Sequence, residues 1–359
     1  MTDLPALDLS EPFSGGRESR EPRLLAGLHA LTQWHHGHCE DYRHMLDAIW
    51  PDAVHQTPAS LAEVPYLPVR MFKQLELASV ANSAIVKRLT SSGTTGQQVS
   101  RIALDAETAA LQVKALAAIT QDVVGRQRLP MLVLDQQEIM RGKGALSARA
   151  AGILGFANFG RYHTYALDEH MQPRWDAIDA FIEAHAQGPV LLFGFTWVVW
   201  QHVLQQAAQA GRRLDFGEKS ILIHGGGWKK LAELQIDNAT FKQRLADQLG
   251  IRRVSNYYGM VEQVGSIFME CEAGHLHTPA FADVLMRDLH TLKPAQSGAI
   301  EVFSLLPRSY PGHAILTEDM GTILGCDDCP CGRKGRYFHV HGRIPQAELR
   351  GCSDVRAAS

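Results

Sequence analysis

The sequence predicts an α/β fold with a largely parallel sheet. Short apolar runs of strand character alternate with longer stretches that carry apolar residues at helical spacing, the pattern of successive βα units. Hydrophobic residues at 45% and charged residues at 20% are ordinary for a soluble globular protein. At 359 residues the chain exceeds one simple core, so one large or two intimately joined domains are expected.

The elements follow in order. Met1 to Glu21 is polar, bears proline and glycine, differs from a signal peptide, and reads as a flexible lead-in. Residues 22–50 read as a helix, with Leu24, Leu25, Leu28, Leu31 and Trp34 at helical spacing. His35, His36, His38 and Cys39 fit a polar helix end better than a metal site. Val64 to Lys73 contains Pro65 and Pro68, which remove ladder donors, so it reads as an extended connector and not a central strand. A strand over 84–89, a loop and a second strand through Val99, Arg101 and Ala103 come next. Then follow a helix from Ala106 to Val123, a strand from Pro130 to Leu134 and a helix from Trp175 to Ala186. A buried strand from Val190 to Phe195, a helix from Thr196 to Ala210 and a strand from Ser220 to Ile223 complete the alternation. No repeat, low-complexity tract or long linker interrupts it.

Charge and cysteine usage narrow the function classes. A net charge of −3 leaves no basic field for nucleic acid. No apolar run reaches the roughly 18 to 20 residues of a membrane span. Six cysteines in so long a chain do not make a disulfide framework; Cys326, Cys329 and Cys331 crowd together, the mark of metal binding in a reducing, cytoplasmic setting.

Thr90-Ser91-Ser92-Gly93-Thr94-Thr95-Gly96 is the loop between the first two strands. Its glycines let backbone approach a ligand and its hydroxyls supply donors without bulk, which suits a triphosphate. An ordinary surface turn has the same composition, and no Gly-Lys-Ser/Thr follows at Walker spacing. His224-Gly225-Gly226-Gly227-Trp228-Lys229-Lys230 directly follows a strand, where an open α/β sheet binds ligands and glycine leaves room for a flat base. A tight strand-to-helix turn is the alternative there, and Lys229 and Lys230 face phosphate or solvent. Tyr258-Gly259-Met260-Val261-Glu262 offers an aromatic face for a purine and a hard carboxylate for Mg²⁺. Asp319, after Ala314-Ile315-Leu316, has the carboxylate that accepts two ribose hydroxyls, or belongs to a surface turn.

In this order the segments resemble the adenylate-forming superfamily of acyl-CoA synthetases, peptide-synthetase adenylation domains and luciferases. The resemblance implies the large N-terminal domain of that fold, and a reaction that joins a carboxylate to ATP with release of pyrophosphate. It implies that Ser91, Ser92, Gly93, Thr94, Thr95 and Gly96 hold phosphates, and that Gly225, Gly226, Gly227, Tyr258 and Gly259 frame adenine. Glu262 would then help hold Mg²⁺, Asp319 the ribose, and Gly342-Arg343 would end the large domain with a second contact near the ribose. Such ligases carry about a hundred further residues as a mobile cap with a catalytic lysine; here the chain ends soon after Arg343, so the cap is expected to be largely missing.

One family resembles the chain from the Tyr66–Lys73 connector to its end: the acyl-protein synthetases of the bacterial luminescence fatty-acid reductase complex. Its marks here are Leu89 to Gly96, His224 to Lys229, Tyr258 to Gln263, Met269-Glu270-Cys271, and Gly342-Arg343 followed by Glu348-Leu349-Arg350-Gly351-Cys352. The resemblance implies that a fatty acid is activated with ATP, moved to a cysteine near the C-terminus, and passed to a reductase partner. Cys352 is the position for that thiol, with an inert tail cysteine as the alternative. Cys352, Glu262 and Thr94 are thus the candidate catalytic residues. The implied organisation is a lead-in over 1–21, an adenylate-forming domain over 22–343, and a tail over 344–359. Within that domain, 22–85 is helical and 86–343 binds nucleotide and acyl group. An acyl- or aryl-CoA or carrier-protein ligase, and a non-catalytic zinc-stabilised nucleotide-binding subunit, are the other two readings.

Cys326-x-x-Cys329-x-Cys331 with Cys271, His275 and His277 upstream supplies enough soft ligands for tetrahedral zinc, reduced thiols without metal being the alternative. Phenylacetate-CoA ligases show a similar pairing of segments. Carried over, it selects Cys271, His277, Cys329 and Cys331 for structural Zn²⁺, leaving Cys326 and His275 as spares.

Overall fold

The first helix, α1 (Arg17–His38), begins inside the stretch expected to be a flexible lead-in. Its first amide is capped from far along the chain: the Arg17 N–H donates to Asp327 Oδ2 at 2.8 Å, which sets an anion at the positive end of the helix. Pro12 and Phe13, just before it, are buried. The helix ends at His38, whose Nδ1 donates back to the Trp34 carbonyl at 2.8 Å. Cys39 is extended, and α2 (Glu40–Ile49) follows, so the single helix expected over 22–50 is two.

His35 is a core residue and not part of a polar helix end. It continues the apolar stripe of Leu24, Leu28 and Leu31 at helical spacing, and all four are buried. Its Nε2 donates to the Pro307 carbonyl at 3.1 Å, its Nδ1 accepts from Ser79 Oγ at 2.7 Å, and its ring stacks on His313.

The computed structural model describes residues 4, 6–91, 99–141, 148–226, 231, 233, 234 and 236–344. They fall into two units: residues to 119 with those from 258 onward, and residues 120–257.

In the first unit the connector contributes β1 (Leu67–Pro68) and the short α3 (Met71–Gln74). The Val69 N–H, not a proline, reaches the sheet, donating to the Leu316 carbonyl at 2.9 Å. The expected strand, loop and strand are present as β2 (Ile85–Thr90) and β3 (Arg101–Asp105), which pair antiparallel. Helix α4 (Ala106–Val124) comes next, its residues from 120 counted with the second unit.

The second unit holds β4 (Leu129–Gln136), α5 (Ala148–Ala157), β5 (Gly160–Leu167), α6 (Trp175–His185), β6 (Leu191–Phe195), β7 (Ile221–Gly225) and β8 (Arg253–Tyr258) except its last residue, Tyr258, which is counted with the first unit. Its strands lie in the order β5-β4-β6-β7-β8, every pair parallel. Met131 to Val133, Leu191 to Phe193 and Ile221 to Ile223 are essentially inaccessible, which is why these runs are apolar throughout and not alternating. After β6 the chain forms α7 (Thr196–Val198), a π-helical segment (Val199–Leu204) and α8 (Gln205–Gln209), where one helix was expected.

Back in the first unit are β9 (Phe268–Glu270), β10 (Leu276–His277), β11 (Ala282–Arg287), β12 (Pro294–Ala295), β13 (Ser297–Ser304), β14 (Ala314–Cys326) and β15 (Arg336–Arg343). They run antiparallel in the order β12-β11-β13-β14-β15-β10-β9, and β1 joins β14 in parallel. A largely parallel sheet is therefore right for the second unit only. Several connections among these later strands are too short for a crossover, and short connections permit only antiparallel pairing.

Candidate functional site

In the first unit, Asp319 lies in the middle of β14, opposite Arg343 of β15, and not in a surface turn. The register shifts at Met320 and Gly321, an irregularity of the kind that re-aims side chains beside it. The Tyr258 hydroxyl donates to Asp319 Oδ2 at 2.8 Å. The Tyr258 ring is held by Phe268, stacked at 6.0 Å, and by Phe338, edge-on at 6.3 Å. Burial raises the Tyr258 hydroxyl well above the usual tyrosine range, so it remains a donor, and burial also raises the Asp319 carboxyl. Arg343 Nε stands 3.9 Å from Asp319 Oδ1, and its guanidinium is 3.8 Å from Glu318 Oε2. Arg70, from the connector, pairs with the same Glu318. One Asp319 oxygen is thus taken by a phenol, and the other faces a cation and can accept a diol hydroxyl.

Glu262 sits in the short turn Val261–Gln263 after β8 and is buried. Its backbone carbonyl accepts the Tyr310 hydroxyl at 2.9 Å. The neighbouring Gln263 amide donates to the Gly312 carbonyl at 2.8 Å and to the Val302 carbonyl at 3.2 Å, which fixes the turn. Burial raises the Glu262 carboxyl, a penalty that a bound cation would remove. Gly259 packs close to Ile267: a Cβ there would come within 2.9 Å of Ile267 Cγ2.

At the neck of the hydroxyl-rich loop the Ser91 N–H donates to the Ser100 carbonyl at 3.2 Å. Ser91 Oγ accepts from the Ser100 N–H at 2.9 Å, so this hydroxyl closes the hairpin. Ser92, Gly93, Thr94, Thr95, Gly96, Gly227, Lys229, Lys230 and Cys352 lie outside the described residues.

In the second unit, Gly225 is the last residue of β7, and Gly226 follows with φ 71°. The space beside Gly225 that the sequence assigns to a flat base holds the Tyr257 ring, which a Cβ at 225 would overlap. Tyr257 also lies 5.0 Å from Phe156 and 6.4 Å from Phe193. Sequence reasoning named Tyr258 and passed over Tyr257. The signal was there, since neighbouring residues on a strand face opposite ways and a Tyr-Tyr pair presents one ring to each side. His224, buried beneath, reaches Thr196 Oγ1 at 2.9 Å through Nδ1, and burial pushes its pKa down to about 3.

The first unit also gathers the expected metal ligands. Cys271, His277, Cys329 and Cys331 bring their ligand atoms within 4.8 Å of one another. Cys271 Sγ to Cys329 Sγ is 3.9 Å, and Cys331 Sγ to His277 Nε2 is 3.4 Å. The 3.9 and 3.4 Å separations match the edges of a tetrahedron with metal–sulfur bonds of ~2.3 Å and metal–nitrogen bonds of ~2.0 Å. His277 is pushed down to about 4, chiefly by burial, so the imidazole is neutral as a ligand must be. The four residues therefore fit a soft divalent ion. His275 is the near spare, with Nδ1 3.3 Å from Cys329 Sγ.

A family model described as acyl-protein synthetase, LuxE, matches residues 4–358. The chain belongs to that family. This acyl-protein synthetase family member is 24% identical over 344 residues to the long-chain-fatty-acid–luciferin-component ligase of Aliivibrio fischeri, covering 89% of this chain and 84% of that one. Against the ligase of the same name from Vibrio harveyi it is 22% identical over 350 residues, covering 92% and 85%. Among solved structures it is similar to an open conformation of 2-hydroxyisobutyryl-CoA ligase in complex with 2-HIB-AMP and CoA. The TM-score is 0.69 with 15% identity, over 96% of this chain and 81% of that one. The synthetase family member thus shares the adenylate-forming ligase fold. No described helix is long and apolar enough to cross a membrane.

Proposed function

We propose that the protein activates a carboxylic acid, a fatty acid before others, with ATP and transfers the acyl group to a protein thiol. In the first step a carboxylate oxygen attacks the α-phosphorus, the bond to the bridging oxygen breaks, and pyrophosphate leaves. In the second a thiolate attacks the acyl carbon, the carbon–oxygen bond to the adenylate breaks, and AMP leaves with the electron pair. Cys352 is the thiol this reading selects, and a reductase or carrier protein the next acceptor.

The observation that carries the reading is the Tyr258–Asp319–Arg343 constellation in a member of the acyl-protein synthetase family. Asp319 accepts a ribose hydroxyl on the oxygen that faces Arg343. The Tyr258 ring, braced by Phe268 and Phe338, offers an aromatic surface for the base. Glu262 would hold Mg²⁺, which when bound offsets charge on the phosphates. Ser92 to Gly96, Thr94 among them, would donate to the phosphate oxygens. Cys271, His277, Cys329 and Cys331 would hold Zn²⁺ in a closed, structural site, because four protein ligands leave no open position.

The test is carboxylate-dependent exchange of labelled pyrophosphate into ATP, with Mg²⁺, across aliphatic acids of graded length and aryl acids. Exchange with aliphatic acids, reduced in Asp319→Ala, is the expected result. Exchange with aryl acids alone would move the substrate, and no exchange with any acid would overturn the reading.

A further inference from the structure

The loop that carries two of the metal ligands also receives the beginning of the chain. Between Cys326 and Cys329, Asp327 sits at φ 67°, a left-handed conformation rare outside glycine. Both its carboxylate oxygens are engaged. Oδ1 accepts the Gly335 N–H at 2.7 Å, within the loop, and Oδ2 accepts the Arg17 N–H at 2.8 Å, at the start of α1.

Further contacts join the beginning of the chain to this loop and to the segment from His277 to Ala280. The Lys334 N–H donates to the Phe13 carbonyl at 3.1 Å, and the Ala280 N–H to the Pro12 carbonyl at 2.6 Å. The Phe13 ring lies edge-on to His277, one of the four candidate ligands, at 6.4 Å, and the Arg333 guanidinium stands over the same ring at 4.3 Å. Arg20, buried one turn into α1, donates to the Thr278 carbonyl at 2.9 Å, next in sequence to that ligand. Gly335 passes so close to the Arg20 guanidinium that a Cβ would overlap it.

We propose that residues 12–20 are a clasp on the metal site: the ion sets the loop from Cys326 to Gly335 in the shape that receives them, and they in turn retain the ion. This rests on reading Cys271, His277, Cys329 and Cys331 as a metal centre. Asp327 is the clip, holding loop and helix start at once. Phe13 is the cover, a buried apolar ring packed edge-on to His277. Groups just outside the ligands of a metal set ligand orientation and solvent access, and losing one typically costs 10- to 100-fold in metal retention, on the order seen for outer-shell partners.

The full chain, loaded with zinc and checked for metal content, tests this in two ways. One is release of zinc to a chromogenic chelator; the other is hydrogen exchange of the amides of residues 12–20, read by mass spectrometry before and after chelation. Phe13→Ala and Asp327→Ala are expected to release zinc roughly tenfold faster or more. Chelation of the unmodified protein is expected to deprotect the 12–20 amides while those of β6 and β7 stay slow. Asp327→Asn keeps an acceptor oxygen and is expected to fall between, which separates loss of the clip from loss of the fold. Bound zinc released at one rate by all forms, with 12–20 equally protected before and after chelation, would overturn the clasp alone. A protein that binds no zinc would overturn the metal reading and the clasp with it.

Discussion

Within the first unit, Tyr258 gives its hydroxyl to Asp319 Oδ2, in the middle of β14, at 2.8 Å. The bond orients the Asp319 carboxylate and leaves its second oxygen facing Arg343. Asp319 is thereby fixed by a neutral donor that spends no charge.

Replacing Tyr258 by Phe keeps the ring against Phe268 and Phe338 and removes only the donor. A hydrogen bond to a charged acceptor contributes about 1.5–3 kcal/mol, so the KM for ATP is expected to rise roughly tenfold or more, with kcat changed less. Steady-state pyrophosphate release measures both constants. An unchanged KM would show that the bond does not position Asp319.

The stacked pair His35 and His313 makes the first unit acid-sensitive. Burial holds His35 well below the usual value of 6.5 and pushes His313 down to about 3. The unfolded chain therefore takes up protons that the folded chain refuses. Stability is complete above the unfolded value and is lost as pH falls below it, by about 1.4 kcal/mol per pH unit for each histidine. Chemical denaturation from pH 7.5 to 5 is expected to show this slope, and His313→Gln to lessen it.

Gly225→Ala brings a methyl group onto the Tyr257 ring. Overpacking of this kind costs about 1–3 kcal/mol. Thermal melts are expected to fall accordingly, and Tyr257→Leu in the same chain to restore most of the loss. Equal losses in the single and double variants would remove the ring as the reason for glycine.

How much of this was legible beforehand depended on the kind of signal. The runs at 130–134, 190–195 and 220–223 read as strands because a strand buried on both faces is apolar throughout. β5 (Gly-Arg-Tyr-His-Thr-Tyr-Ala-Leu) did not, since it is half exposed and polar. β14 was hidden because Thr317-Glu318-Asp319 looks like a turn, and only pairing with β15 makes it continuous. His35 looked polar by residue type, while its helical spacing from Leu24, Leu28 and Leu31 pointed to the core. The grouping of Cys271, His277, Cys329 and Cys331, whose ligand atoms lie within 4.8 Å of one another, came from the likeness to phenylacetate-CoA ligases, since spacing alone left Cys326 and His275 as equal candidates. Tyr257 was missed because its partner, Gly225, is a contact between strands.

Metal removal bears on stability as well as on the clasp. A closed site of three thiolates and an imidazole contributes folding energy on the order of ten kcal/mol. A strong chelator is expected to lower the melting temperature of the first unit markedly, and added Zn²⁺ to restore it. Calorimetry unchanged by chelation, after complete metal loss is confirmed, would contradict a structural role.

The most direct test of the central claim is the intact mass of the protein after incubation with ATP, Mg²⁺ and a long-chain fatty acid. The expected result is an increase equal to one acyl group, removed by hydroxylamine and absent in Cys352→Ser. Pyrophosphate release with no mass increase, or full acylation of Cys352→Ser, would contradict transfer through that thiol.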